Sequence, residues 1–132
     1  FEGEPRRSLQ ERRQKAPAAR DIAGLIRSID YSTTAALNRA SNLTPEERAL
    51  LDPKLDTWRE QATAAFWAAC REAGDPTLWP SDEADAQRLL DFFLLEKAFY
   101  EIEYELMNRP GWLHVPLVGT RHILSRRQAV NA

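Results

Sequence analysis

The sequence predicts an all-α helical bundle. Apolar residues recur three to four positions apart through three long runs. Each run opens on a cap or proline start signal, and the second and third close on glycine or proline. No segment alternates apolar and polar residues as a strand does, and no internal repeat or low-complexity tract interrupts the pattern. At 132 residues the chain is long enough for one domain with a real core and too short for two.

Residues 1–16 hold Gly3 and Pro5 without a sustained period, and an extended or looping segment is expected there. From Pro17 the pattern turns helical. Ile22, Leu25, Ile26 and Ile29 share a face, Asp21 complements the dipole of the first turn, and the helix should run from about 18 to 40. Asn42-Leu43-Thr44-Pro45-Glu46-Glu47 announces the next helix, with Thr44 as N-cap, Pro45 at the first helical position and Glu47 closing a capping box. Asp52-Pro53 repeats that grammar, so a new helix starts there or the first one kinks. The run stops at Gly74-Asp75-Pro76, and Trp58, Ala62, Ala65, Phe66 and Ala69 form a stripe suited to close helix packing.

Pro76-Thr77-Leu78-Trp79-Pro80 is a connection. Ser81 then reads as the cap of a long helix, about 82 to 108, with acids in its first turns and Pro110-Gly111 at its end. After Pro116 and Gly119 a short periodic piece around Ile123-Leu124, with Arg126 and Arg127, predicts one last helix. The organisation expected is a leading segment 1–16, a helical subdomain 17–124 and a tail 125–132.

The net charge of −2 conceals an asymmetry: residues 1–20 carry +3, residues 21–108 carry −9 and residues 109–132 carry +4. Basic arms can bind nucleic acid, but here the cations are spread thinly and Phe1 is the only aromatic of the first segment, so no nucleic-acid partner is expected. No membrane partner is expected either, because no run approaches the roughly 18 apolar residues of a span. Cys70 is the single cysteine, sits in an apolar helical run and has no partner for an internal disulfide, which fits a cytoplasmic protein. The chain opens at Phe1 and its one methionine is Met107, so it reads as a piece of a longer protein.

The helix at 82–108 is the most informative element. Spaced at 100° per residue, Leu89, Phe93, Tyr100, Tyr104 and Met107 fall on one flank, and Phe92, Leu95, Phe99, Ile102 and Leu106 on another. Two thin polar strips separate them, one of Lys97, Glu101, Glu105 and Asn108, the other of Glu96 and Glu103. Neighbours should therefore cover most of this helix, with some charges partly buried and in need of partners. Two accounts fit these strips. One is ion pairing such as Lys97 with Glu101 at i,i+4; the other is a cleft whose carboxylates, amide and tyrosines accept the hydroxyls and C–H faces of a sugar.

Phe1-Glu2-Gly3-Glu4-Pro5, the run Arg20-Asp21-Ile22-Ala23-Gly24-Leu25-Ile26-Arg27-Ser28-Ile29-Asp30-Tyr31, and Glu96-Lys97 through Trp112 together closely resemble the C-terminal part of bacterial maltokinases. These enzymes occur alone or as the last domain of fusions with trehalose synthase, an enzyme of the α-amylase family. The resemblance covers residues 1–124; the stretch around 42–56 and the tail after 124 carry little of it. It implies the C-terminal lobe of a protein-kinase-like fold, shared with aminoglycoside phosphotransferases. It also implies a parent that uses ATP and Mg²⁺ to phosphorylate maltose to maltose 1-phosphate in the cytoplasm.

In that family a metal-binding Asp directly precedes the Phe-Glu-Gly-Glu-Pro motif and a His-Gly-Asp catalytic loop lies further upstream. Both positions fall before Phe1, so the resemblance implies no catalytic residue and no bound cofactor in this chain. By position in the motif, Glu96, Tyr100, Glu101, Tyr104, Asn108 and Arg109 would line or brace the maltose pocket, and Glu2 and Glu4 would lie near the metal site. Tyr31 and Trp112 fit core or lid packing better than ligand contact. The partners implied are maltose, the remainder of the kinase and a trehalose synthase domain in the case of a fusion. Removed from these, the piece should self-associate through an uncovered apolar face.

Other chemistry finds little support. His114 and His122 are eight apart with no Cys or acid spaced to complete a zinc site. No Ser or Cys has a recognisable base partner. Two alternatives remain beside maltokinase: a kinase-like phosphotransferase with another acceptor, and a non-catalytic helical interaction module.

Overall fold

A computed structural model describes residues 7–40 and 42–130, the last five by backbone only. It is an all-α bundle without a strand among the described residues. Its helices are α1 (Leu9–Arg13), α2 (Ala18–Arg39), α3 (Pro45–Ala73), α4 (Glu83–Asn108) and α5 (His114–Val130), with 3₁₀ turns at Pro76–Leu78 and Pro110–Trp112.

The leading segment is not wholly extended. Ser8 and Glu11 form a reciprocal capping box: the Ser8 hydroxyl oxygen accepts from the Glu11 N–H, and the Glu11 carboxylate accepts from the Ser8 N–H at 2.8 Å. That box supports the five-residue α1, which buries nothing. Thr44 and Glu47 form the second capping box, as their spacing foretold. At α4 the cap is Asp82 instead of Ser81, its Oδ1 accepting from the Asp85 N–H at 3.0 Å; a carboxylate at the positive end of the dipole adds charge attraction to the same hydrogen bond.

Pro53 lies inside α3 and neither starts nor ends it. An interior proline deletes one backbone hydrogen bond and costs about 3 kcal/mol, so the remaining turns of this 29-residue helix must hold it. Of the stripe expected to pack, Trp58, Ala65 and Ala69 are exposed, while Ala62 and Phe66 are half-buried. The half-buried face is instead Leu51, Leu55, Arg59, Thr63, Phe66, Trp67 and Cys70, because α3 lies against the bundle on one side only. Burial there raises the Cys70 thiol above its ordinary range.

On α2 the buried positions are Ala19, Ala23, Ile26 and Arg27, while Leu25 is half exposed. Two alanines bring the α2 backbone close to its neighbour, and that rotates the buried face away from Leu25. Ala86, Leu90, Leu94 and Ala98 form the facing stripe of α4. Ala23, Ile26, Leu90, Leu94 and Ile123 of α5 make the centre of the core, with Phe66, Trp67 and Phe93 packed around it. Each large aliphatic buried here contributes roughly 1.5–3 kcal/mol of transfer free energy.

The last helix is longer than the periodic piece that signals it. It begins at His114, runs through Pro116 and Gly119 and absorbs the start of the expected tail. Pro116 sits in the first turn, where backbone N–H groups have no helical partner. Gly119 is buried against Arg27: a Cβ there would meet the guanidinium, with Cζ at 2.8 Å. The outer face of α4 leaves Phe92, Phe99 and Leu106, seven residues apart, more than half exposed. No helix among the described residues is long and apolar enough to cross a membrane.

Candidate functional site

The buried stripe of α4 changes character along its length. After Leu90, Leu94 and Ala98 it continues in phase through Glu101 and Glu105, so two carboxylates stand where the pattern calls for apolar groups. Buried carboxylates need hydrogen-bonded cations or donors, and α2 supplies them. Arg27, only 1% exposed, donates from Nε to Glu101 Oε2 at 2.8 Å, and its Nη1 is paired with Asp30. Its Nη2 lies 2.7 Å from the same Glu101 oxygen. Burial raises the Glu101 carboxyl above its usual range, and Arg27 opposes that rise.

Glu105 is wholly buried and accepts three bonds. The Tyr31 hydroxyl donates to Oε1 at 3.0 Å, and Arg109 donates from Nε to Oε2 at 3.0 Å and from Nη2 to Oε1 at 2.6 Å, a two-pronged clasp. The carboxylate raises the Arg109 pKa. Burial first, then the Glu101 and Glu105 charges, push the Tyr31 phenol far above its ordinary value.

Above this buried layer lies a ridge of rings and cations. Lys97 Nζ sits 4.8 Å over the Tyr100 ring, and Tyr100 stacks on Tyr104 at 6.5 Å. Arg109 lies between Tyr104, at 5.6 Å, and Trp112, at 5.1 Å; Trp112 in turn stacks on Tyr31 at 6.2 Å with planes 9° apart. Cation–π contacts of this kind contribute about 0.5–1 kcal/mol each when exposed. The ridge is therefore ordered by its own members as well as by Glu105 beneath it.

The sequence-predicted residues separate accordingly. Tyr100, Tyr104 and Arg109 come together on the ridge. Glu101 lies beneath it, facing α2 and engaged by Arg27. Its oxygen is taken by a cation from another helix, whereas the sequence offered Lys97 as the partner; Lys97 contributes a favourable charge nearby. Glu96 accepts from Arg7 Nη2 at 2.8 Å, which ties the leading segment to α4. The Asn108 amide, exposed in the last turn, donates to the Tyr104 carbonyl at 2.8 Å. Glu2 and Glu4 lie outside the described residues. Tyr31 and Trp112 stack on each other, both half-buried.

Sequence reasoning missed Glu105, Arg27 and Asp30 as site members. A signal existed for Arg27: it stands beside Ile26 and four residues after Ala23, a cation in phase with an apolar face, and its counter-charge had to lie on a neighbouring helix. Glu105 was visible only as one of a strip of four.

Among the described residues no three His, Cys, Asp or Glu side chains are grouped to hold a metal ion, and no glycine-rich turn cradles a phosphate. What the ridge offers is flat aromatic surface, a clasped guanidinium and an amide within a few turns of one helix, an arrangement suited to a polar ligand with apolar faces. No family model matches the sequence.

Proposed function

We propose that this chain is the acceptor-sugar part of an ATP-dependent maltokinase, the helical C-terminal lobe of a kinase-like fold, in a parent that stands alone or is fused to trehalose synthase. The observation that carries the reading is the ridge of Tyr100, Tyr104, Arg109 and Trp112, held in place by the buried Glu105. Pyranose rings present C–H faces that lie on aromatic rings and hydroxyls that accept from guanidinium or bond to amide and carboxylate groups. Tyr100 and Tyr104 would cover the sugar face. Arg109, with Nε and Nη2 committed to Glu105, keeps Nη1 for a hydroxyl, and Glu96 and Asn108 flank the ridge. ATP and Mg²⁺ would be held by other parts of a cytoplasmic parent, with no catalytic group in this chain.

ADP release by the parent enzyme, measured with ATP, Mg²⁺ and maltose beside glucose, trehalose and an aminoglycoside, tests this. Maltose-dependent turnover is expected, and Tyr104→Ala or Arg109→Ala should raise the maltose KM at least tenfold while the ATP KM stays within twofold. Wild-type sugar kinetics in both variants would remove the ridge from the sugar site. Turnover only with another acceptor would favour a related phosphotransferase.

One observation favours a second reading. Glu101 and Glu105 are both satisfied inside the fold, as in a helical interaction module whose polar groups are structural. That module would bind neither ATP nor maltose in the parent.

A further inference from the structure

Away from the ridge, α3 is the long helix least committed to the bundle. The buried centre of Ala23, Ile26, Leu90, Leu94 and Ile123 comes from α2, α4 and α5 alone, and α3 adds the partly buried Phe66 and Trp67 around it. No residue of α3 is fully buried, and Pro53 removes one of its backbone hydrogen bonds. Toward its ends Arg48 reaches the Leu37 carbonyl at 3.5 Å and Arg71 reaches Glu83 at 2.9 Å, both in exposed settings.

Midway along α3 the tie is drier. Arg59, whose side chain is 13% exposed, donates from Nη1 to His122 Nδ1 of α5 at 2.9 Å. A guanidinium can only donate, so Nδ1 accepts and the ring proton resides on Nε2. That bond exists only while the imidazole is neutral. A second proton would turn the acceptor into a donor and set imidazolium against guanidinium. The other charges around the ring do not offset this. On α3, Asp56 and Glu60 are 66% and 75% exposed, and on α2, Asp30 is already paired with Arg27. α5 itself adds the Arg121 charge, and the side chains that α4 presents to the same cleft, Gln87, Leu90 and Leu94, are uncharged. Burial first, then Arg59 and Arg121, hold the His122 pKa below its ordinary value of about 6.5, outweighing Asp30 and Asp56.

We propose that Arg59 and His122 form an acid-released latch: protonation of His122 breaks the bond between α3 and α5, and α3 lifts away while α2, α4 and α5 stay packed. Lifting α3 opens the cleft of about 490 Å³ that it walls with Thr63 and Trp67, uncovering the floor of Ile26, Leu90, Leu94 and Ile123. The folded His122 holds its proton less tightly than the unfolded chain does. The stabilising contribution of the latch is therefore complete above about pH 6.5 and is lost as the pH falls through the lower folded value. The latch stands apart from sugar phosphorylation, and its test does not require turnover.

Amide hydrogen exchange of the full chain, read by mass spectrometry at micromolar concentration and corrected for the intrinsic rate at each pH, tests this. Between pH 7.5 and pH 5, protection over the middle of α3 should fall at least threefold. At pH 5 that stretch should exchange at least tenfold faster than the stretch of α4 around Leu90 and Leu94. His122→Gln, whose side-chain carbonyl accepts from Arg59 at either pH, should remove the fall, and His114→Gln should keep it. Should His122→Gln fail to fold, Arg59→Met, which removes the donor and keeps an apolar stem, should leave α3 weakly protected at both pH values. Protection of α3 unchanged between the two pH values, a fall that persists in either folded variant, or α3 exchanging in step with α4 at pH 5 would each overturn the proposal.

Discussion

Gly24 and Gly119 both lie within helices, and the structure predicts that replacing each by alanine will have opposite effects. An added Cβ at Gly24 meets nothing within 4 Å, so Gly24→Ala keeps only the propensity gain, about 1 kcal/mol. At Gly119 the new carbon lands on the Arg27 guanidinium. The far end of an arginine is ordinarily free to swing aside, but this one is buried and held by Glu101 and Asp30. Making room means parting that pair or lifting α5 from α2. Breaking a buried ion pair costs about 3–5 kcal/mol; less the same gain of about 1 kcal/mol, Gly119→Ala should destabilise by about 2–4 kcal/mol. At about 4 °C per kcal/mol for a domain of this size, Tm should fall by about 8–16 °C, against a rise of up to about 4 °C for Gly24→Ala. Urea and thermal unfolding followed by circular dichroism measure both. If Gly119→Ala matches or exceeds the parent in stability, Arg27 is not pinned and the account of the buried layer fails.

Three further outcomes follow from the same geometry. Glu105→Gln should lose about 1.5–3 kcal/mol, the value of hydrogen bonds to a charged group, while Glu103→Gln on the exposed side should stay within about 0.5 kcal/mol; equal urea midpoints would contradict the three-bond assignment. The Tyr31 phenol has a raised folded-state pKa, so its stabilising contribution is complete below about pH 10, the ordinary tyrosine value, and is lost as the pH rises beyond it. Tyr31→Phe should therefore show a shallower alkaline loss of stability, and unchanged slopes would count against the buried phenol. Finally, Phe92 and Phe99 are 59% and 60% exposed, so the chain should associate with rising concentration in sedimentation velocity, and the double change to serine should raise the onset at least tenfold. A parent chain that stays monomeric throughout would show that this face is tolerated in water.

Local chemistry was readable in the sequence wherever the deciding atoms are close along the chain. Thr44, Pro45 and Glu47 settle the start of α3 among themselves, and Pro110 with Gly111 ends α4. Ser8 and Glu11 have the same spacing, yet a helix of five residues has no apolar period to draw attention to it. Pro53 starts no new helix, because the rest of α3 carries the cost. The length of α5 was hidden for another reason: Gly119 weakens any local helical reading, and what selects glycine there is a guanidinium on α2. The ridge was legible in outline, since Tyr100 and Tyr104 share a flank by helical spacing, while Arg109 was joined to them only through the resemblance. Its foundation was not, because the partners of Glu101 and Glu105 are set by how α2 docks on α4, and no window of sequence contains both helices.

The two polar pairs under the ridge also define how far α2 may slide along α4. Arg27 meets Glu101 and Tyr31 meets Glu105 at the same sequence offset of 74 residues, so the helices run in the same sense there and the pairs act as consecutive teeth of a key. A slip of one turn toward the start of α4 would set Arg27 against Lys97 and Tyr31 against Glu101. A slip the other way would set Arg27 on Glu105 and Tyr31 on Arg109, stranding Glu101. The apolar half of the seam, built from Ala23, Ile26, Leu90, Leu94 and Ala98, would tolerate a four-residue displacement far better, since one small or branched side chain replaces another. A single alignment is thus specified at the charged end and packed at the apolar end, and a chain with both carboxylates replaced by methionine should keep its helices while losing its unique register.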